Sequence, residues 1–299
     1  MTEQGIPLID PHFHLWDLEE NYYPWLSDEV APAAWGTYED LLRNYLLDDY
    51  LADATGQNLV KAVHLDVGWD PRDPVGETRW LQSIADRRGF PHGIVGYADL
   101  AAPDVEAILD GHARYANFRG IRQSMNYHPD PAKTYLSAPE VSRTPQWRRG
   151  FRALAARSLS FDLQLYYPQM GEFFELATEF PDVQIILNHT GMQVDGPDHF
   201  DAWREGMRVI AQAPNVACKI SGLGMGDHDW TVTSIRPYVE SALESFGVGR
   251  CMFASNFPVD KLFSDYGTIF AAFREITRGY SRDERMALFH DNAARYYRL

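Results

Sequence analysis

The segment Val183-Gln184-Ile185-Ile186-Leu187-Asn188-His189-Thr190-Gly191 contains a nearly continuous apolar run that ends in polar residues. Such a run is typical of a strand in a parallel sheet, where helices cover both faces of the sheet. The polar residues that follow then lie at the carboxyl end of the strand. In barrels of parallel strands, functional groups collect at this end. We therefore expect His189 to belong to a site.

The same alternation of β-rich and helix-compatible segments runs along the whole chain, which is typical of βα units around a parallel sheet. We predict eight strands, at Leu8–His12, Val60–Val67, Gly93–Ala98, Phe118–Ser124, Ser160–Leu165, Val183–His189, Asn215–Ser221 and Cys251–Ser255. We predict helices at Tyr38–Thr55, Val75–Arg88, Pro103–Tyr115, Gln146–Arg157, Met170–Phe180, Phe200–Ala213, Thr233–Phe246, Leu262–Thr277 and Ser281–His290. Thr37 and Ser281 are the expected N-caps of the first and last of these helices.

Eight βα repeats in 299 residues predict a (β/α)8 TIM barrel that forms a single domain over residues 1–299. An open doubly wound sheet would carry a GxGxxG turn after its first strand, and the sequence has none there. Two long connections, Leu15–Gly36 and Met125–Pro145, follow strands 1 and 4 and are rich in aromatic residues or proline. We expect them to cover a pocket, and ordinary surface loops are the alternative.

The net charge of −15 and the lack of a basic run argue against a nucleic acid or an anionic membrane as partner. A small-molecule substrate is the expected partner, and a homo-oligomer remains open. The segment Met1–Gly5 has no charged leader, and no later run approaches the ~20 apolar residues of a membrane span, so we expect a cytoplasmic protein. Cys218 and Cys251 are too few for a disulfide framework and are expected to be buried reduced thiols.

The ends of the predicted strands carry a set of polar side chains that would meet at one mouth of the barrel. In His12-Phe13-His14 the two imidazoles share a face of the first strand, because side chains at i and i+2 leave a strand on the same side. Asp10, on the same strand, is either part of this wall or a residue that accepts an N–H and orients a histidine. The other strand ends contribute Arg122, Gln164, Tyr166, His189, Lys219, Asn256 and Asp260.

Six motifs, in the same order along nearly the whole chain, resemble the amidohydrolase family 2 branch of the amidohydrolase superfamily. They are Leu8-Ile9-Asp10-Pro11-His12-Phe13-His14-Leu15-Trp16-Asp17, Gly120-Ile121-Arg122, Asn188-His189-Thr190-Gly191, Cys218-Lys219-Ile220-Ser221-Gly222, Phe253-Ala254-Ser255-Asn256-Phe257-Pro258 and Asp291-Asn292-Ala293-Ala294-Arg295. Within that branch the chain resembles lactonases that act on 2-pyrone-4,6-dicarboxylate or on sugar lactones. The resemblance implies a (β/α)8 barrel and a hydrolase that opens a lactone of sugar-acid or aromatic-compound catabolism.

The resemblance also implies that His12, His14 and His189 face the reacting centre, and that Arg122 binds the substrate carbonyl or carboxylate. Tyr166 would contact the substrate. The superfamily usually has a histidine on strand 5 and an aspartate after strand 8, and this chain has Gln164 and Asn256 at those places.

Two questions about the reaction stay open from the sequence. Three neutral histidines can hold a catalytic zinc ion, so both a metal-free site and one divalent ion on His12, His14 and His189 are possible. Asn256 cannot accept a proton from water, although it can orient a water or donate to an oxyanion. The general base is then a histidine of this trio or Asp260.

Each candidate also has a structural interpretation. Lys219 either binds the substrate or pairs with a buried acid, and Trp16 either packs the loop or forms a substrate platform. Two other functions remain as alternatives to a lactonase. One is a metal-dependent decarboxylase or hydratase of the same family, and the other is a non-catalytic relative that binds a small ligand.

Overall fold

The computed structural model describes residues 5–28, 33–136, 138–194 and 196–299. Within these ranges, eight parallel strands form one sheet in chain order, each paired with the next. The strands are β1 Leu8–Phe13, β2 Leu59–Leu65, β3 Gly93–Tyr97, β4 Phe118–Ser124, β5 Ser160–Gln164, β6 Ile185–Leu187, β7 Val216–Ile220 and β8 Cys251–Phe253. The expectation about a missing leader concerns Met1–Gly5, of which the first four residues lie outside the described ranges. Residues 29–32 and 137 of the two long loops also lie outside them.

The two edge strands of the sheet meet and close it into a barrel. The backbone N–H of Asn256, just after β8, donates to the carbonyl of His12 at 2.8 Å, and the N–H of His14 donates to Phe257 at the same distance. Phe13 and Phe257 form a parallel bridge. The predicted (β/α)8 barrel is therefore confirmed.

Helices follow the strands, as predicted, and most of them pack around the outside of the barrel. The α-helices are α1 Pro24–Ser27, α2 Leu47–Asp53, α3 Gly76–Arg88, α4 Val105–His112, α5 Pro145–Ala155, α6 Met170–Glu179, α7 Phe200–Ile210, α8 Val232–Phe246, α9 Tyr266–Ile276, α10 Arg282–Met286 and α11 Asn292–Tyr297. None of the helices in the described ranges combines the length and the apolar character that a membrane crossing requires.

The helix predicted over Tyr38–Thr55 is wrong in its first half. Glu39–Leu41 forms a single 3-10 turn, and the helix α2 begins only at Leu47. The reason is a tertiary contact: Tyr45 and Trp16 exchange two backbone hydrogen bonds of 3.0 Å in an antiparallel bridge. These bonds satisfy the backbone of Tyr45 in an extended conformation, which a helix cannot adopt.

The two predicted helix caps had different outcomes. Thr37 caps no helix, because the 3-10 turn Glu39–Leu41 has Tyr38 as its N-cap residue. Ser281 is the N-cap of α10, as predicted. Its Oγ accepts from the N–H of Glu284, whose carboxylate accepts from the N–H of Ser281 at 2.8 Å, so the two residues form a capping box.

Apolar side chains form a large layer between the sheet and the helices and a smaller core inside the barrel. The smaller core contains Ile9, Val63, Leu65, Val95, Ile186, Ala217, Met252, Ala293, Tyr296 and Tyr297. The last three residues come from α11, which thereby fills one end of the barrel interior and leaves polar side chains to the other end. Cys218 and Cys251 lie opposite each other on β7 and β8, and both are buried free thiols, as predicted.

A register shift in β1 separates Asp10 from the two histidines of the same strand. The pairing of β1 with β2 is irregular between Asp10 and Phe13, as in a β-bulge, and an extra residue changes which face the following side chains occupy. Asp10 therefore contacts Tyr50 and Tyr266 from the helix layer. The interpretation of Asp10 as part of the wall of the site is wrong.

The carboxylate of Asp10 is fully buried and accepts five hydrogen bonds. The donors are Ser255 N at 3.0 Å, Ser255 Oγ at 2.6 Å, Tyr50 OH at 2.9 Å, Tyr266 OH at 3.0 Å and His12 N at 3.3 Å. Through Ser255 it ties the chain after β8 to β1, and through the two tyrosines it ties both to α2 and α9.

We predict that Asp10→Asn lowers the free energy of unfolding by about 2–4 kcal/mol, because an amide N–H₂ replaces an acceptor among five donors. Urea denaturation followed by tryptophan fluorescence measures the change. Asp201→Asn is the control, since that side chain is 85% exposed on α7 and should change stability by less than about 0.5 kcal/mol. Equal stability of the two variants would contradict the role assigned to Asp10.

Candidate active site

His12 and His14 lie side by side inside the barrel. Their ring centroids are 5.0 Å apart and their planes are nearly perpendicular. His12 is completely buried and His14 is 3% exposed. The Nδ1–H of His14 donates to the carbonyl oxygen of Leu65 at 2.9 Å, which leaves its Nε2 as an acceptor.

His189 joins this pair from the end of β6. Its ring centroid lies 4.4 Å from that of His12, and its Nδ1 lies 3.0 Å from Ser221 Oγ. The backbone of His189 has a positive φ of 53°, which turns the side chain back over the strand end. Gly222 packs against the ring, and a Cβ at that position would lie 2.6 Å from Nδ1 of His189. The site therefore requires a glycine there.

Arg122 reaches the same place from β4. Its Nε donates to Asp66 Oδ1 at 2.6 Å, one terminal nitrogen donates to the carbonyl of Asp66, and the other donates to Gln164 Oε1 at 3.1 Å. A guanidinium has five N–H groups, so two remain without a partner among the described residues. Asp66 was missed in the sequence analysis, although it is the last polar residue of the predicted strand Val60–Val67 and the strand-end rule applies to it as well.

His14, His189, Arg122, Gln164 and Asn256 all line one cavity of about 400 Å³. The two long loops predicted to cover a pocket contribute Trp25, Ala33, Trp35, Ala132 and Tyr135 to its walls, and Tyr38, two residues after the first loop, also lines it. The covering role of both loops is confirmed. The cavity therefore combines a polar region at the strand ends with aromatic walls.

Asn256 lines the cavity, whereas Asp260 lies behind it. Asn256 Nδ2 donates to Asp260 Oδ2 at 2.5 Å and lies 3.7 Å from Met225 Sδ. Asp260 is 3% exposed, and burial raises the pKa of its carboxyl from 3.8 to about 7. Asp260 does not line the cavity, so it acts on the site through the amide of Asn256.

Three residues predicted to bind substrate lie outside the cavity. Lys219 is buried behind His12 and forms an ion pair of 2.6 Å with Asp162. Tyr166 donates its hydroxyl to the carbonyl of Lys133 at 2.7 Å and lines a smaller neighbouring cavity.

Trp16 is the third of these residues, and its contacts lie within the loop region and not at the cavity. Its indole N–H donates to the carbonyl of Arg43 at 2.7 Å, and it lines a separate cavity with Tyr45 and Lys261. The bridge to Tyr45 turns the chain away from the barrel mouth directly after His14. Packing of the loop is therefore the role that its contacts support.

The three imidazoles are neutral at neutral pH. Burial lowers the pKa of His12, His14 and His189 well below the usual value, the positive charge of Arg122 lowers it further in all three, and that of Lys219 does so for His12 and His189. Neutral imidazoles serve as hydrogen-bond donors or acceptors according to the tautomer, so the partner of the other ring nitrogen determines what each ring offers.

The donor set fits a divalent ion poorly. The ammonium of Lys219 lies 3.2 Å from His12 Nδ1 and places a positive charge beside the imidazoles. Asn256 supplies a neutral amide at the place where the superfamily has a carboxylate. Among the described residues, no three histidine, cysteine or acidic side chains come together in an arrangement suited to a metal.

One protein family matches the chain from β1 to its last residue. The model of the amidohydrolase family matches residues 9–299. The chain belongs to this family. The amidohydrolase is 70% identical over 294 residues to the uncharacterised protein y4mH of Sinorhizobium fredii, covering 98% of this chain and 99% of that protein.

Two further relatives bear on the branch of the family. L-fucono-1,5-lactonase of Burkholderia ambifaria is 28% identical over 299 residues, covering 97% of this chain and 95% of that one. A crystal structure of an amidohydrolase from Burkholderia multivorans with bound zinc superimposes with a TM-score of 0.81 at 26% identity, covering 98% and 99% of the two chains. The resemblance to the lactonase branch of the amidohydrolase superfamily is therefore confirmed.

The carboxyl of Asp260 should give the amidohydrolase a distinctive pH dependence of stability. With its pKa near 7, the folded protein holds a proton that the unfolded chain releases near pH 4, so stability falls as pH rises between these values. Between about pH 5 and about pH 8, we expect the wild type to lose about 2–3 kcal/mol more than Asp260→Asn. Urea denaturation at both pH values measures the difference, and parallel pH profiles would contradict it.

Proposed function

We propose that this amidohydrolase hydrolyses a small lactone by adding water to the ring carbonyl. The observation that carries the proposal is the convergence of neutral imidazoles and a guanidinium on one cavity, since His14, His189 and Arg122 all line it. The full-length similarity to an L-fucono-1,5-lactonase supports the same reaction class.

In the proposed reaction, Arg122 binds the substrate carbonyl oxygen. Its two N–H groups without a partner among the described residues donate to this oxygen, and the donation strengthens as negative charge develops during attack. Asp66 and Gln164 hold the guanidinium in place through its other N–H groups. Because this frame is buried, the donors are positioned before the substrate arrives.

His14 is the proposed general base. Its Nδ1–H is bound to Leu65, so the unprotonated Nε2 is the nitrogen available to the cavity. Water attacks the carbonyl carbon as Nε2 takes its proton. The tetrahedral intermediate then collapses, the ring C–O bond breaks, and the imidazolium returns the proton to the departing alkoxide, which gives a hydroxy acid.

Asn256 is proposed to orient the attacking water. Its amide N–H₂ faces Asp260 and Met225, so its carbonyl oxygen is the group available to accept from water. Asp260 keeps the amide in this orientation and is not itself the base, because Asn256 separates it from the cavity.

The walls of the cavity favour a compact, neutral or singly charged lactone. Arg122 is the cation that lines the cavity within the described residues, and Asp66 already pairs with it. The aromatic rings of Trp25, Trp35 and Tyr135 offer flat apolar faces to a ring or to an alkyl group. The overall negative charge also disfavours polyanionic substrates.

The purified protein should hydrolyse at least one member of a panel of neutral sugar 1,4- and 1,5-lactones and aromatic lactones. A pH-indicator assay and mass spectrometry of the hydroxy acid measure the reaction. Arg122→Lys should lower kcat/KM by about 10²-fold, because a single ammonium cannot hold Asp66 and Gln164 and also bind the carbonyl.

The matched control for this variant is Arg88→Lys, which changes an exposed ion pair with Asp48 and should leave kcat/KM unchanged. Binding of a lactone without turnover would indicate the non-catalytic alternative. Decarboxylation without lactone hydrolysis would indicate the other alternative. Either result would overturn the proposal.

The proposed reaction uses only side chains of this chain, so removal of metal should not change it. After dialysis against a chelator that strips zinc, we expect kcat/KM to stay within about twofold of the untreated value, with metal content measured by mass spectrometry. Restoration of lost activity by stoichiometric zinc would contradict this mechanism. Asn256→Asp introduces the missing carboxylate and should raise the affinity for zinc.

A further inference from the structure

Lys219 is a charged residue that the proposed reaction does not use, although it lies next to His12. Its side chain is completely buried inside the barrel, and so is that of Asp162, which pairs with it at 2.6 Å. Tyr297 of α11 donates its hydroxyl to the same carboxylate oxygen at 2.6 Å, and its ring lies 5.4 Å from the ammonium. These contacts hold the ammonium of Lys219 in one position inside the barrel.

The ammonium has three N–H groups, and the structure offers it three acceptors. They are Asp162 Oδ1 at 2.6 Å, His12 Nδ1 at 3.2 Å and the carbonyl oxygen of Pro11 at 3.3 Å. The ion pair of 2.6 Å with the fully buried carboxylate of Asp162 keeps the amine protonated, because loss of its proton would leave that carboxylate as an unpaired buried charge. A charged ammonium has no lone pair and can only donate.

His12 must therefore accept at Nδ1. Because its ring is neutral, its proton lies on Nε2. That atom is buried, and no hydrogen-bond partner for it exists among the described residues. We propose that Lys219 is a positioning residue that holds His12 in the Nε2–H tautomer, so that His12 offers a hydrogen-bond donor where its ring meets the rings of His14 and His189, which line the cavity.

The neighbouring rings are held in the opposite tautomer by backbone groups. His14 donates from Nδ1 to Leu65, and His64 accepts at Nε2 from the N–H of Leu15 at 2.8 Å. His12 and His14, two residues apart, thus offer a donor and an acceptor. Resting on the proposed function, this assigns His14, which lines the cavity, to the attacking water, and gives His12, one layer deeper against His14 and His189, the role of a fixed donor beside them.

Nitrogen-15 NMR of protein labelled in its histidines tests the tautomer directly and does not depend on catalysis. Long-range proton–nitrogen spectra distinguish a protonated from an unprotonated ring nitrogen, and His12→Gln assigns the signals by their loss. We expect an unprotonated Nδ1 and a protonated Nε2 for His12. His64 is the internal control and should show the reverse.

The role of Lys219 is tested with the double variant Lys219→Met/Asp162→Asn, which removes both charges and so leaves no unpaired buried ion. We expect His12 to populate both tautomers and kcat to fall about 10- to 100-fold, with KM changed less than threefold. The control Lys261→Met/Asp53→Asn removes a surface pair of 2.7 Å and should change neither quantity. Circular dichroism checks that both variants fold.

A protonated Nδ1 on His12 in the wild type would overturn the proposal, and so would an unchanged single tautomer in the folded double variant. If the double variant does not fold, the wild-type spectrum still decides the question. The expected tautomers without any lactone hydrolysis would refute the proposed function and leave the positioning role of Lys219 intact.

Discussion

The carboxylate of Asp10 is the contact on which the barrel mouth depends. A (β/α)8 barrel must join its last strand to its first, and here β8 is only three residues long. Ser255, two residues after its end, binds Asp10 through both its backbone N–H and its hydroxyl. This anchors the chain after β8 against β1, so that Asn256 meets His12 and the two halves of the site come together.

The bulge in β1 makes this arrangement possible. A regular strand would place Asp10, His12 and His14 on one face, and the carboxylate would then lie among the imidazoles. The register shift sends Asp10 to the helix layer and keeps both histidines inside. The short strand β1 thus carries Asp10, which helps to close the barrel on its outer side, and two histidines that belong to the candidate site on its inner side.

Buried charges occur in pairs at two levels of the site. Arg122 pairs with Asp66 at the cavity, and Lys219 pairs with Asp162 behind it. Each cation keeps the neighbouring imidazoles neutral, and each acid offsets the desolvation of its cation. The site can therefore contain two positive charges inside the barrel and still present neutral donors and acceptors to a substrate.

The pattern of the sequence was enough to predict the barrel, the eight strands and the strand ends at which His12, His14, Arg122 and His189 lie. Nearly continuous apolar runs and the alternation of β-rich with helix-compatible segments are local properties of the chain. Other features depend on contacts between distant segments. Trp16 bonds to Tyr45, Asp66 binds Arg122, and Lys219 meets Asp162 and His12, and none of these pairs leaves a periodic signal. The amino-acid sequence alone thus determined the architecture and the residues at the barrel mouth. The tertiary structure decided the tautomer, the charge partner and the direction of each side chain, because these depend on hydrogen bonds and burial that exist only once separate strands are packed together.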